Sequence, residues 1–532
     1  MSGPRPRVWG AALSVLMLGA AGGLVLLQAM REPLSHDEHQ FIASGWLLGA
    51  QGLLPYRDFP FHHLPNLALV YAALGRISPA VLLNARLLSS AFGLGAAVLI
   101  FAYARRELHD LGFWPAWSVA VATVASLVLS PLFQYTNGRA WNHALPTLLT
   151  VAAFCVHLAA RRSDRPAGWL ASGVLLGIAA GTRASSLTVI LPFALFALGV
   201  DRPPSDRPAG RSLGYFLAGT LVGLAPAAVF AGLAPRHFVY GNLIYPLQNA
   251  QYRQLLLHED AMNLLAKLAY FVDQVLLDPP HLLLAAAGLW LIWKVLLRPG
   301  RTGGRGSPEI WLSLGTAAAL WVGALIPTPS WYQYFYAPLP FGLLALVSLL
   351  RRAAPRPQPM LAAAALFAVT LVALRAEMIG QLGLLARPAD WLPNRVHRLG
   401  VAVAEQVGAG PVLALAPIVP LEGGLKIYPE FATGSLSWRV SPFMAPGPRQ
   451  VYGVVSPEDL PAYLGAEPPA AVLVGFEIDN AGFSLDDPGG LEIPLEEYAR
   501  EHGYQRTSLE CPVCARKVLS VWERIPEADP PG

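Results

Sequence analysis

The sequence predicts an all-α polytopic membrane domain of about eleven helices over residues 1–384, followed by a small soluble α/β domain over 385–532. Three observations lead there. Of 532 residues, 54% are hydrophobic and only 14% are charged, whereas a soluble domain has about 25% charged residues. Apolar runs long enough to cross a bilayer, roughly 20 residues each, recur through the first part of the chain. Beyond them, short apolar runs alternate with Pro, Gly and Asp clusters, the pattern of strands and turns.

Taken in order, the spans fall at 8–30, 81–104, 112–131, 144–160, 168–183, 185–200, 212–234, 281–297, 311–327, 337–350 and 358–380. The first is too long for the apolar core of a signal peptide and many more follow it, so it reads as a retained helix. Residues 168–200 form one continuous apolar stretch, and the arginines decide how to divide it. The clusters are Arg5/Arg7, Arg105/Arg106, Arg161/Arg162/Arg165, Arg202/Arg207/Arg211, Arg298/Arg301/Arg305 and Arg351/Arg352/Arg356. All six fall on one side only if 168–200 is a hairpin turning near "GTRASS". Cytoplasmic loops collect Lys and Arg, so the N-terminus is assigned to the cytoplasm and the C-terminal domain to the opposite, extracytoplasmic face. The same face then receives the loops 31–80, 130–143, 235–280 and 327–338, with most of the carboxylates and aromatics.

In the C-terminal domain, "RVHRLGVAVAEQVGAG" reads as an amphipathic helix, and "PVLALAP", "AAVLVGF" and "KVLSVWERI" read as strands. The tail "PEADPPG" reads as disordered. Three cysteines exclude a disulfide framework. Cys511 and Cys514 in "CPVC" lack the second ligand pair of a zinc site, so an exported local disulfide is expected. Cys155 reads as a small apolar residue within a span. The net charge of +4 comes in short clusters rather than a basic stripe, which excludes nucleic acid as a partner.

The chemistry concentrates in "EPLSHDEHQFIASGWLLGAQGLLPYRDFPFHH". Asp37, Glu38, Asp58 and four histidines gather there beside the first span. Part of this is helix capping: Ser35 and Glu38 have the spacing of a capping box, and acids suit a first helical turn. Capping leaves the rest of the loop unexplained. After Asp37-Glu38 come a helix ending at Gly52, "PYRDF" (55–59), "LPNLALVYAALG" (64–75) and "ARLLSS" (85–90). In that order these segments resemble the first external loop of the GT-C glycosyltransferases, specifically the family-39-like polyprenyl-phosphate sugar transferases. The likeness is densest over residues 35–105.

The resemblance implies a membrane glycosyltransferase that moves a sugar from a polyprenyl-phosphate carrier to a lipid, glycan or protein acceptor outside the bilayer. A carboxylate is then needed to take the acceptor's proton. Asp37 is the choice, with Glu38 or Asp58 in support. The leaving phosphate needs cations, and Arg57, Arg86, Arg139, Arg183 and Lys267 are the candidates. Arg183 stands out because an arginine between two apolar segments is costly unless paired or hydrated. The second acid of the family pattern is absent from "NGRAWNHALP", where Asn142 or His143 stands in its place, and "SWYQYFY" replaces a late Arg-Tyr element. Tyr332 and Tyr334 can stack on a sugar, and His62 and His63 join the substrate-binding set. The polar "GNLIYPLQNAQYR" (241–253) can shape an acceptor cleft. His36, His39, His62 and His63 beside carboxylates would suit Zn or Mn, but their spacing matches no metal motif, and no cofactor is expected. Rival readings are a transporter or flippase, and a non-catalytic binder or assembly protein, for a lipid-linked saccharide. Transporters show repeated halves, and none is found here.

Overall fold

The computed structural model describes residues 5–75, 78–200, 210–256, 262–297, 307–353, 356–476, 490–511, 513–514 and 517–524. The Arg202, Arg207, Arg298, Arg301 and Arg305 cluster members and the "PEADPPG" tail lie outside them.

The membrane part runs α1 (Arg5–Arg31), α2 (His36–Trp46), α3 (Asn66–Leu74), α4 (Val81–Glu107), α5 (Phe113–Val128), α6 (Pro131–Asn137), α7 (Ala144–Ser163), α8 (Pro166–Thr182) and α9 (Ile190–Ala197). It continues with α10 (Arg211–Leu233), α11 (Pro235–Val239), α12 (Tyr245–Leu256), α13 (Leu264–Phe271), α14 (Pro279–Ile292), α15 (Pro308–Leu325), α16 (Pro338–Arg352) and α17 (Pro357–Leu374). Every expected span is helical. Among the described residues seven helices are long and apolar enough to cross a membrane, or nine if each bent pair is one span. The expected eleven is therefore not reached by length. The two helical segments within 166–197 are too short, because the helix breaks at Arg183, whose backbone is extended. The predicted span 112–131 bends by 60° between α5 and α6. Pro131 opens α6 there, and proline supplies no N–H to continue a helix.

Close packing of α8 on α10 fixes the frame around Arg183. Gly173 and Gly177 on α8 face Gly219 and Gly223 on α10, a Gly-x-x-x-Gly spacing on both helices. A Cβ at any of the four would overlap backbone of the opposite helix: the carbonyls of Phe216, Thr220, Leu170 and Val174 respectively. Small residues let membrane helices gain dispersion contacts and approach this closely. Gly177→Leu should therefore cost about 1–3 kcal/mol or more through overpacking, read as a lower Tm in detergent. Gly232→Leu on α10, where no heavy atom lies within 4 Å of the added carbon, should be neutral. Equal behaviour of the two would disprove the contact.

The expected span 358–380 ends in α18 (Ala376–Gly380), bent by 68° from α17; the C-terminal part then opens with α19 (Leu392–Gln406), the expected amphipathic helix, and includes α20 (Ile418–Glu422) and α21 (Ser435–Val440). Its strands are β1 (Pro411–Ala414), β2 (Lys426–Ile427), β3 (Ala471–Val474), β4 (Gln505–Glu510) and β5 (Val518–Glu523), in the order β2-β1-β3-β5-β4. β1 is parallel to β2 and β3, and β5 runs antiparallel to β3 and β4. β1 and β3 are buried throughout, so they read as continuous apolar runs. β4 was not expected: it is a mostly exposed edge strand of polar residues. Cys511 and Cys514 are joined in a disulfide between β4 and β5, with Cα atoms 5.2 Å apart. The domain sits directly on the first loop. Glu422 accepts from the Leu82 N–H that opens α4 (2.7 Å) and lies 2.7 Å from His397 Nδ1, and His62 Nε2 lies 2.8 Å from Ser437 Oγ.

Candidate active site

Adjacent carboxylates on α2 have opposite fates. Ser35 caps the helix, accepting from the Asp37 N–H at 3.3 Å, and Glu38 completes the capping box by accepting from the Ser35 N–H at 3.1 Å. Glu38 then turns inward, fully buried. Its Oε1 accepts from Arg86 Nε (2.8 Å) and Ala140 N–H (2.8 Å), and its Oε2 from Arg86 Nη2 (2.6 Å) as well as Ser35. Arg86 uses its remaining donors on the carbonyls of Ala29, Glu32 and Pro33. Four acceptor directions and five N–H donors are thus consumed, tying α1, α2 and α4 together. A step of 100° around the helix puts Asp37 on another face, with Gln40 and Phe41 at i+3 and i+4. That face lines a cavity of about 490 Å³.

The cavity walls come from six parts of the chain. The first loop supplies Asp37, Gln40, His62 and His63; the turn before α7 supplies Trp141, Asn142 and His143; the break after α8 supplies Arg183. α12 contributes Tyr245, Asn249 and Arg253, the turn before α16 contributes Trp331, Gln333 and Tyr334, and α21 contributes Leu436 and Arg439. Arg183 Nη1 donates to Asn142 Oδ1 at 2.9 Å and lies 3.1 Å from His143 Nε2, with its guanidinium 4.7 Å above the Tyr334 ring. Arg253 stacks 4.3 Å over Trp331, and Arg439 lies 5.6 Å from the Tyr252 ring and bonds Tyr245. His62 stacks on Tyr245 with centroids 3.6 Å apart.

Charge follows from burial. Desolvation, with Arg183 adding to it and Asp37 opposing it, pushes the His63 imidazole down to about 4. Burial and the Arg183 charge hold His143 well below the usual imidazole value, and burial with His63 and Arg439 does the same to His62. These rings are neutral near pH 7. Among the described lining residues, one carboxylate then faces three arginines. The arrangement combines one proton acceptor, a cationic wall and stacking surfaces.

Of the expected site residues, the structure brings Asp37, His62, His63, Asn142, His143, Arg183 and Tyr334 together. The others lie outside this lining, each held by partners of its own. Glu38 and Arg86 saturate each other. Asp58 and Arg57 form a two-bond ion pair (2.7 and 2.8 Å), and Asp58 also accepts from Leu54 N–H (2.7 Å), closing the "PYRDF" turn outside the cavity lining. Arg139 pairs with Glu32 at 2.6 Å and stacks on Tyr135 and Trp141 from behind the wall. Lys267 gives its three protons to the Leu325 and Pro327 carbonyls and Thr328 Oγ1, holding the turn that carries the cavity lip. Tyr332 packs on Tyr135, at 5.4 Å between centroids. Among the described residues no three His, Cys, Asp or Glu side chains converge as a metal site. Arg253, Arg439, Tyr245, Trp141 and Trp331 were not singled out from the sequence. Arg253 and Tyr245 lie in the polar segment 241–253, whose composition suits an acceptor cleft.

The helical bundle, with a first loop rich in chemistry and a small domain seated on it, shares its fold with solved GT-C glycosyltransferases, as the sequence resemblance implied. Among solved structures the chain is similar to ArnT from Cupriavidus metallidurans bound to undecaprenyl phosphate, with TM-score 0.57 and 14% identity over 98% of this chain and 99% of that one. Its apo state gives TM-score 0.57 and 14% identity over 97% of each chain. The Archaeoglobus fulgidus oligosaccharyltransferase tethered with an acceptor peptide gives 0.48 and 13% over 95% of this chain and 73% of that one. No family model and no curated protein matches the sequence.

Proposed function

We propose that the protein is a membrane glycosyltransferase that moves a sugar from a polyprenyl-phosphate carrier to an acceptor hydroxyl on the extracytoplasmic side. The observation that carries this reading is the placement of Asp37 as the cavity's carboxylate among Arg183, Arg253 and Arg439. The GT-C fold, seen in ArnT with undecaprenyl phosphate, supports it. In this reading the acceptor oxygen attacks the anomeric carbon and its proton passes to Asp37, while the carbon–oxygen bond to phosphate breaks. The departing phosphate takes the bonding electrons and is held by Arg183 and Arg253, so it needs no acid. A second, apolar cavity of about 380 Å³ lies between α14, α15 and α16 and includes Phe335, next to Tyr334 in the chain; its lining suits a prenyl tail.

Two measurements test this. Full-length protein in nanodiscs should bind undecaprenyl phosphate, and Arg183→Gln should weaken that binding by about tenfold or more, the worth of one charge-assisted bond of ~1.5–3 kcal/mol. Absence of binding by the wild type would overturn the carrier assignment. For orientation, a thiol probe introduced near Gly465 should be labelled from outside intact cells and one near Gly304 should not. The reverse pattern would place the site on the wrong side for this reaction.

A further inference from the structure

We propose that Asn142 and His143 are positioning residues that hold Arg183 rigid through neutral acceptors, leaving its full charge for an anionic group of the donor. The inference rests on the carrier-phosphate reading and adds what sets the strength of that site. Arg183 ends α8 with φ −147° and ψ 120°, which projects its side chain out of the helix. Its Nε donates to Ser185 Oγ at 3.0 Å, and its Nη1 meets Asn142 Oδ1 at 2.9 Å and His143 Nε2 at 3.1 Å. An arginine only donates, so His143 accepts at Nε2 and carries its proton on Nδ1. Burial, with Arg183 beside it, keeps that ring neutral. The face of Tyr334 supports the guanidinium. These contacts fix direction and plane, and none of them carries a formal negative charge.

A carboxylate in the place of Asn142 would bond just as well and undo the electrostatics. It would pair with Arg183 at hydrogen-bond distance and repel a phosphate on the same guanidinium. At an effective dielectric near 20 and a separation of several Å, that repulsion corresponds to roughly a 10–100-fold loss of affinity. The amide at 142 is therefore a determinant of anion binding, although it touches the anion only through Arg183.

The test uses Asn142→Asp and Asn142→Ala in the full-length protein in nanodiscs, with undecaprenyl phosphate as probe, from pH 5 to 8.5. Affinities are read as ratios to wild type, which cancels the probe's own titration and that of groups common to both proteins. The groups facing position 142 are His63 (Nδ1 3.4 Å from Asn142 Nδ2), His143, Arg183 and, across the cavity, Asp37, Arg253 and Arg439. The His63 ring stays neutral down to about 4. At pH 8, Asn142→Asp should bind roughly 10–100-fold more weakly, and the loss should persist to pH 5, because a carboxylate paired with Arg183 stays ionised there. Asn142→Ala should show a smaller loss that does not vary with pH. His143→Glu should behave as Asn142→Asp does, and His143→Gln should keep most of the affinity; this pair decides the matter if the position-142 variants do not fold. Binding of Asn142→Asp equal to wild type, or a loss identical to that of Asn142→Ala at every pH, would overturn the proposal alone. Failure of the wild type to bind would overturn the carrier reading together with it.

Discussion

Asp37→Asn should lower sugar transfer by roughly 10²–10⁴-fold, the usual worth of a positioned base, while expression, folding and carrier binding stay near wild type. The separation of these effects follows from the first turn of α2. Ser35 and Glu38 already cap the helix, so Asp37 contributes no cap bond through its carboxylate. Its side chain keeps about a third of its surface open to the cavity, and the amide is nearly isosteric with it. What the variant loses is the ability to accept a proton. Carrier affinity should persist because the phosphate is assigned to Arg183 and Arg253. The measurement is transfer from a polyprenyl-phosphate sugar by purified protein, with undecaprenyl phosphate binding in parallel. Normal turnover would remove Asp37 from the chemistry, and loss of folding would make it a structural residue.

Glu38→Gln, one residue along, should have the opposite phenotype: unfolding or loss of the assembled protein before any specific effect on rate. All four contacts of this buried carboxylate come from N–H donors. A glutamine amide replaces one acceptor by a donor, which then faces an Arg86 N–H together with either the Ala140 or the Ser35 N–H. Arg86, itself fully buried, is left as an uncompensated charge, and breaking such a pair costs about 3–5 kcal/mol. Arg86→Met should be at least as damaging, because the Ala29, Glu32 and Pro33 carbonyls lose their donors too. Thermal unfolding in detergent and monodispersity on gel filtration read this directly. A Glu38→Gln protein that folds and melts like wild type but does not turn over would move Glu38 from the scaffold to the chemistry.

The two variants mark where sequence reasoning stopped. An Asp-Glu pair after a first span identifies the place, and local signals carried much of the rest. Ser35 and Glu38 formed the expected capping box, and Gly52 ends the π-helical turn after α2 with φ 72°, a left-handed conformation that suits glycine. Apolar runs marked the seven described helices long enough to cross a membrane, and the buried strands β1, β3 and β5 were legible because both faces are covered. β4 was not, since an exposed edge strand bears polar residues that read as loop.

What the sequence by itself determined is set by short-range physics: hydropathy over a bilayer thickness, capping at i to i+3, proline and glycine at breaks, and the local Cys511–Cys514 closure. Charged residues lie beyond its reach, because a buried charge takes its role from whichever opposite charge or carbonyl the fold brings to it. Arg57, Arg86, Arg139 and Lys267 all resemble ligands for an anion in the sequence, and each is bound within the scaffold, Arg57 by Asp58. Arg439, some four hundred residues from Asp37 in the chain, faces the same cavity with no local feature to announce it. Only the tertiary structure decided which of two neighbouring carboxylates faces the cavity. Helical rotation separates Asp37 and Glu38 by 100°, and Arg86 on α4 claimed the one that turned inward.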